Sequence, residues 1–257
     1  MPVSPHEQVG YEFRRWRTTV DKKRQERFHR AALIDTTLFR KKVDVSVLAN
    51  DCLHGARPRN SLGAKRLHVG VRVRQIRPIE LGEELLVAAT VASLQSVRRG
   101  RYIVVGFRFC GMDGSVLVEM EHKSLILDAQ LQPAKSNLSR KLEPNETFEF
   151  IRRVELSPEM VSGYSFEFPH LRAHHDPVAA AAIGMRAPIA QGLMGLGLLF
   201  QEKVRSGLAP SFEIEAQFER PIFWDDILTL ESAQFREFRA KNGQGKTVSR
   251  LTIHDWN

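Results

Sequence analysis

The sequence has 257 residues, of which 42% are apolar and 26% carry a charge. This composition is typical of a globular chain and excludes an intrinsically disordered one. Thirty-eight Lys and Arg residues against 30 Asp and Glu residues give a formal net charge of +8. The excess of positive charge favours anionic partners such as nucleic acid, anionic lipid or a phosphorylated small molecule.

Cysteine content and hydropathy exclude further classes. Two cysteines, Cys52 and Cys110, cannot build a disulfide framework or a four-cysteine zinc site, and they indicate a reducing compartment. The first eight residues are polar and no run of about 18 apolar residues follows, so we expect no signal peptide and no membrane span. The sequence therefore predicts a cytoplasmic protein.

The basic residues cluster between positions 14 and 30, but acidic residues are interleaved with them. This pattern favours a solvated helix face with ion pairs four residues apart over a nucleic-acid surface. Zinc-finger spacing, an RNA-binding motif and a helix-turn-helix signature are all missing from the sequence, so we expect no nucleic-acid partner.

Strand patterns dominate the first half. Residues 66–127 alternate apolar and polar side chains, which predicts four strands of an antiparallel meander, the later ones at 84–94, 102–109 and 115–127. The stretch 130–147 is rich in Pro, Ser and Asn and is interpreted as a linker. It divides the chain into a first domain, 1–129, and a second, 148–257.

The second half begins with a predicted strand at 148–156. Pro177 opens a predicted helix at 178–183 that ends at Gly184, and a nearly all-apolar helix follows at 190–205. Further strands are predicted at 212–220, 226–239 and 246–255. These are three strands where the first half has four, so we expect a missing edge that another chain covers, or an edge that is short and charged. A homodimer or hetero-oligomer would follow.

An internal repeat connects the two halves. Arg77-Pro78-Ile79 recurs 143 positions later as Arg220-Pro221-Ile222, and the strand pattern after it recurs at the same interval. Such self-similarity predicts duplication of one unit, a long helix followed by an antiparallel sheet. The predicted fold class is α+β.

The segment 170–193 resembles the signature of the MaoC-like, (R)-specific enoyl-thioester hydratase and dehydratase family. The matching positions, without a gap between them, are His174, Asp176-Pro177, Ala180, Gly184, Pro188-Ile189 and Gly192. The resemblance implies a double hot-dog fold, in which two tandem units each wrap a sheet around a long helix. It also implies that His174 acts as acid/base and that the Gly192 amide holds the oxyanion.

The sequence departs from this signature at three positions. The family's Asp, five residues before the His, is Pro169 here; its Asn is Leu171, and the His before the last Gly is Gln191. Glu167 or His170 are candidate replacements for the lost carboxylate. A divergent branch of the family is similar in its Arg-x-His step, which Arg172-Ala173-His174 matches.

The candidate substrate-binding residues include cations from both halves. They are Arg172, Gln191, Arg57, Arg59 and Lys65, the last three facing the phosphates of coenzyme A. His170 and His174 lack a third ligand for a metal, and no metal or cofactor is expected. The resemblance implies an enzyme that interconverts (R)-3-hydroxyacyl and trans-2-enoyl thioesters of coenzyme A or a carrier protein. Alternatives are a catalytically degenerate acyl-CoA-binding protein, alone or as a partner subunit, and, less favoured by the motif, a thioesterase.

Overall fold

A computed structural model describes residues 5–55, 66–98, 100–127 and 147–257. Residues 130–146 of the predicted linker, and the cations Arg57, Arg59 and Lys65, lie outside the described residues.

The described chain forms one ten-stranded antiparallel sheet with five α-helices, in the strand order β1-β3-β4-β5-β2-β7-β10-β9-β8-β6. The elements of the first half are β1 Trp16–Thr18, α1 Lys22–Ala32, α2 Val45–Gly55, β2 Arg66–Gln75, β3 Leu85–Val97, β4 Gly100–Cys110 and β5 Val116–Leu127. Those of the second half are β6 Glu149–Glu155, α3 Pro158–Tyr164, α4 Pro177–Ala182, α5 Gly192–Val204, β7 Phe212–Phe218, β8 Ile227–Ala233, β9 Glu237–Lys241 and β10 Thr247–Trp256.

The two buried helices α2 and α5 form the centre of the fold. Almost every residue of α5 is buried, as expected of a helix that is apolar on all sides. The helices approach closely because α5 carries glycines: a Cβ at Gly197 would lie 2.9 Å from Ile34 and 3.1 Å from the Ser46 hydroxyl. The sheet continues across the halves through the pairing of β2 with β7, in which Val71 faces Ala216. The predicted α+β, double hot-dog architecture is confirmed.

The sequence repeat corresponds to a repeated backbone contact. The Val43 amide donates to the Ile79 carbonyl at 2.9 Å, and the Ala190 amide donates to the Ile222 carbonyl at 2.8 Å. Each acceptor is the last residue of an Arg-Pro-Ile tripeptide, and each donor lies just before a central helix. The tripeptide therefore fixes the start of each helix against its own sheet.

The structure corrects the predicted strand 226–239, which is two strands, β8 and β9. The chain reverses at Gln234 and Phe235, both of which adopt positive φ (51° and 53°). Because neither residue is Gly or Pro, the turn carries no strong sequence signal. The second half therefore has four strands after α5, and the predicted missing edge strand is wrong. The edge of the sheet in the second half is β6, and four of its seven residues are charged.

The N-terminal region also differs from the prediction of one solvated basic helix. Helix α1 begins only at Lys22, where the Lys22–Glu26 pair is the predicted type of ion pair, with N and O 3.6 Å apart. Its other side is buried through Phe28 and His29. Upstream, Trp16–Thr18 pairs with β3 as a short strand.

Candidate active site

The motif lies in the segment between α3 and α5. Residues Arg172–His174 form one 3-10 turn, and α4 follows directly. The Asp176 carboxylate caps α4, accepting hydrogen bonds from the Val178 amide at 2.8 Å and the Ala179 amide at 3.2 Å. Pro177 occupies the first helical position, as the sequence predicts. These caps fix the direction in which the chain leaves His174.

The imidazole of His174 is oriented by a backbone carbonyl. Its Nδ1 lies 2.7 Å from the carbonyl oxygen of Ile189. Because a carbonyl only accepts, Nδ1 carries the proton and the lone pair is on Nε2. Burial, and to a smaller extent the nearby His175, lower the pKa of His174, although the bond to Ile189 opposes them. His174 is therefore neutral near pH 7 and holds a lone pair that can accept a proton.

The first amide of α5 is a donor without an acceptor among the described residues. Gly192 opens the helix, and its capping residue Gln191 makes no side-chain capping bond. Gln191 instead donates from Nε2 to the Ser165 hydroxyl at 3.1 Å, which leaves its buried Oε1 unpartnered in the described chain. An unpaired N–H at a helix N-terminus suits a developing negative charge.

His174 and Gly192 are connected through the short approach to α5. Ala173 accepts from the Ile189 amide at 3.1 Å, while Ile189 accepts from His174. The imidazole is thus anchored three residues before Gly192. A side chain at Gly192 would meet the ring of Phe218, whose nearest atom is 2.6 Å from the Cβ position.

Two surface cavities lie away from this segment. One, of about 210 Å³, is bordered by Arg72, Glu119 and Glu213 on the sheet. The other, of about 400 Å³, is bordered by Phe150, Glu202 and Phe235 beside β6. Neither is lined by His174 or Gly192.

Glu167, the candidate replacement base, is held by residues of the first half. Its carboxylate accepts from Arg24 at 2.6 and 2.9 Å, and its Oε2 lies 2.9 Å from His54 Nε2. Burial by itself would raise the pKa of Glu167, but the hydrogen bonds and charges of His54 and Arg24 outweigh it and lower the pKa to about 2. Glu167 is therefore ionised and a poor proton acceptor near neutral pH.

The other predicted residues surround the 3-10 turn. His170 lies against the edge of Phe168, with ring centroids 6.2 Å apart. Arg172 is exposed and forms an ion pair with Asp176, four residues on. Pro169 supplies no carboxylate. Within the described ranges, no group of three or more potential metal ligands is found.

A network around Arg24 was not predicted from the sequence. The Arg24 guanidinium bridges Glu167 and Asp51, with Nη2 2.9 Å from Asp51 Oδ1, and Thr18 donates to the same carboxylate at 2.9 Å. Asp51 and His54 lie three residues apart on the mainly apolar helix α2, and this spacing is a sequence signal of a polar face there. Nothing local connects Arg24 to Glu167, 143 residues away.

No protein-family model and no curated protein matches the chain. Solved structures do resemble it. HtdX of Mycobacterium tuberculosis superposes with a TM-score of 0.73 at 14% identity, over 93% of this chain and 99% of that one. A MaoC-like dehydratase from Phytophthora capsici gives 0.71 at 16% identity, over 98% of both chains.

The chain also resembles a solved structure from another class of enzyme. A putative oleoyl thioesterase from Lactobacillus plantarum gives a TM-score of 0.59 at 8% identity, over 96% of this chain and 95% of that one. In the described part of the chain no helix is long and apolar enough to cross a bilayer. Architecture, repeat and structural neighbours agree, and the protein has the double hot-dog fold of the MaoC-like proteins.

Proposed function

We propose that the protein is a hydratase or dehydratase that interconverts (R)-3-hydroxyacyl and trans-2-enoyl thioesters. The observation that carries the proposal is that two groups are held at the segment 189–192, His174 by its bond to Ile189 and the Gly192 amide by the start of α5. His174 has a free Nε2 lone pair, and the Gly192 amide has no acceptor among the described residues. A base and an oxyanion donor are what the addition of water to an enoyl thioester requires.

In the hydration direction, His174 Nε2 accepts a proton from water as the water oxygen bonds to C3 of the substrate. The π electrons move towards the thioester oxygen, which the Gly192 amide stabilises together with the α5 dipole. A proton from a second acid then adds to C2, and His174 releases the proton that it took from water to solvent. Dehydration is the reverse, with His174 returning its proton to the leaving hydroxyl.

The proposed substrate carrier is coenzyme A or an acyl carrier protein, both of which present phosphate. Arg172 is exposed beside the motif, and the first-half cations Arg57, Arg59 and Lys65 complete the proposed set. Gln191, with its unpartnered Oε1, is the proposed contact of a donor group on the substrate.

The experiment is hydration of crotonyl-CoA and longer enoyl-CoA substrates, followed by loss of the absorbance of the conjugated thioester. We expect turnover by the wild type and a loss of about 10²–10⁴-fold in kcat for His174→Gln, the range for a general acid or base. His254→Gln is the control, because His254 lies on the sheet surface, 3.4 Å from Glu215 and away from the motif. A folded wild type without turnover at any chain length contradicts the proposal.

A binding protein without catalysis is the second candidate, and the absence of a carboxylate at Pro169 favours it. Such a protein would be stabilised by acyl-CoA, because a ligand that binds only the folded state raises Tm. An increase in Tm with no turnover would identify this function.

A further inference from the structure

A His–carboxylate pair lies between the two halves, outside the motif. His54 Nε2 is 2.9 Å from Glu167 Oε2. Because an ionised carboxylate only accepts, the proton of this bond is on Nε2. The side chain of Glu167 is 13% exposed, whereas that of His54 is 41% exposed. The imidazole of His54 therefore has one nitrogen, Nε2, held by Glu167. Its other nitrogen, Nδ1, has no protein partner in the described ranges.

The surroundings hold this imidazole in a defined orientation. Its ring stacks on the buried Phe168, with centroids 4.2 Å apart and planes at 17°. The charged groups facing the pair are Arg24 from α1, Asp51 from α2 and Glu167 itself, and Arg24 bridges both carboxylates. A carboxylate that orients a histidine in this way is the arrangement that prepares an imidazole for proton transfer.

The pair shares a loop with the candidate site. The loop that carries Glu167 and Phe168 is fastened to the approach to α5 at both ends. On one side Ser165 accepts from Gln191 Nε2 at 3.1 Å; on the other, His174 Nδ1 lies 2.7 Å from the Ile189 carbonyl. His54 packs against Phe168 in the middle of this loop. The next residue along the chain is Pro169, where the carboxylate is missing.

The geometry points to His54 as a second acid/base group, contributed by the first half in place of the carboxylate that Pro169 lacks. This inference rests on the proposed hydratase function. Glu167 then acts as a positioning residue, not as a base.

Two histidines account for both proton transfers of the reaction. In hydration, His174 takes a proton from water while the water oxygen bonds to C3. Protonated His54 keeps its Nε2–H on Glu167 and gives its Nδ1 proton to C2, which forms the new C–H bond from the former π electrons. His174 then holds one proton more and His54 one fewer, and exchange with solvent restores both.

The test compares His54→Gln, which can still donate to Glu167, with the His254→Gln control in the same enoyl-CoA assay. We expect His54→Gln to lower kcat by about 10²–10⁴-fold with little change in KM. We also expect His54→Ala to recover part of its kcat when free imidazole is added. His254→Gln should keep wild-type kinetics.

The possible outcomes are distinct. An active wild type with unchanged kcat in His54→Gln overturns the role of His54 alone. If His54→Gln lowers both kcat and Tm strongly, and imidazole does not rescue His54→Ala, then His54 has a structural role. That result also overturns its role as an acid/base group. A wild type inactive on every enoyl thioester overturns the proposed function and, with it, this inference.

Discussion

Acid should destabilise the protein through a buried pair of stacked histidines. The rings of His68 and His122 lie 4.7 Å apart at an angle of 8°. His68 Nε2 and both nitrogens of His122 are buried without a hydrogen-bond partner in the described chain. Burial lowers the pKa of His68 to about 4, and it lowers the pKa of His122 in the same direction. Both rings are therefore neutral in the folded protein at pH 7.

The protein loses stability in acid because its unfolded state binds more protons than its folded state. The unfolded chain titrates near 6.5 and folded His68 near 4, so the unfolded state binds more protons between these values. The stabilisation from His68 is complete above pH 6.5 and is lost as the pH falls towards 4. The difference in His68 protonation costs about 2 kcal/mol of the free energy of unfolding between pH 7 and pH 5.

Urea unfolding of the wild type and of His68→Phe, at pH 7 and pH 5, measures this contribution. Phe preserves the aromatic stacking but cannot be protonated, so the variant should lose about 2 kcal/mol less than the wild type over the same pH interval. Glu167 does not contribute to the change in stability between pH 7 and pH 5, because its lowered pKa of about 2 affects stability only below about pH 4.5. An identical pH dependence in wild type and variant would refute the reasoning.

Two further changes test the packing of the site. Gly192→Ala places a methyl group 2.6 Å from the Phe218 ring, and should cost about 1–3 kcal/mol in urea unfolding; Phe218→Leu in the same chain should recover part of this, and failure to do so would mean that the contact is not the cause. Arg24→Met leaves two largely buried carboxylates without their cation, and should cost about 3–5 kcal/mol. A cost below 1 kcal/mol, measured by the same unfolding experiment, would contradict the buried character of this network.

The sequence predicted the elements whose signals are local. The alternation of apolar residues found the strands of the first half, and the continuous apolar run found α5, because burial on one face or on all faces leaves a periodic pattern. The sequence also predicted Pro177 at the start of α4, and its predicted helix at 190–205 begins two residues before α5 does.

What the sequence could not predict depends on contacts between distant segments. Strand β1 has three residues and exists through its pairing with β3, so it has no pattern of its own. Arg24 and Glu167 meet because the halves pack together, and no property of either residue identifies the other. The turn at Gln234 and Phe235 uses positive φ without glycine, so tertiary structure there overrides local preference.

The two halves have the same fold, but the starts of their central helices are hydrogen-bonded differently. Val43 and Ala190 make equivalent contacts, so Asp44 occupies the position that corresponds to Gln191. The Asp44 carboxylate accepts from the Ser46 amide at 2.8 Å and lies 2.9 Å from His29 Nε2, and both Asp44 and His29 are fully buried. The Asp44 carboxylate thus accepts the hydrogen bond of an amide at the start of α2, in the protein interior. In the second half the corresponding donors stay unpaired among the described residues, because Gln191 turns to Ser165 instead. The first half pairs β2 with β7 and anchors Glu167 through Arg24. In the proposed mechanism it also supplies the imidazole of His54.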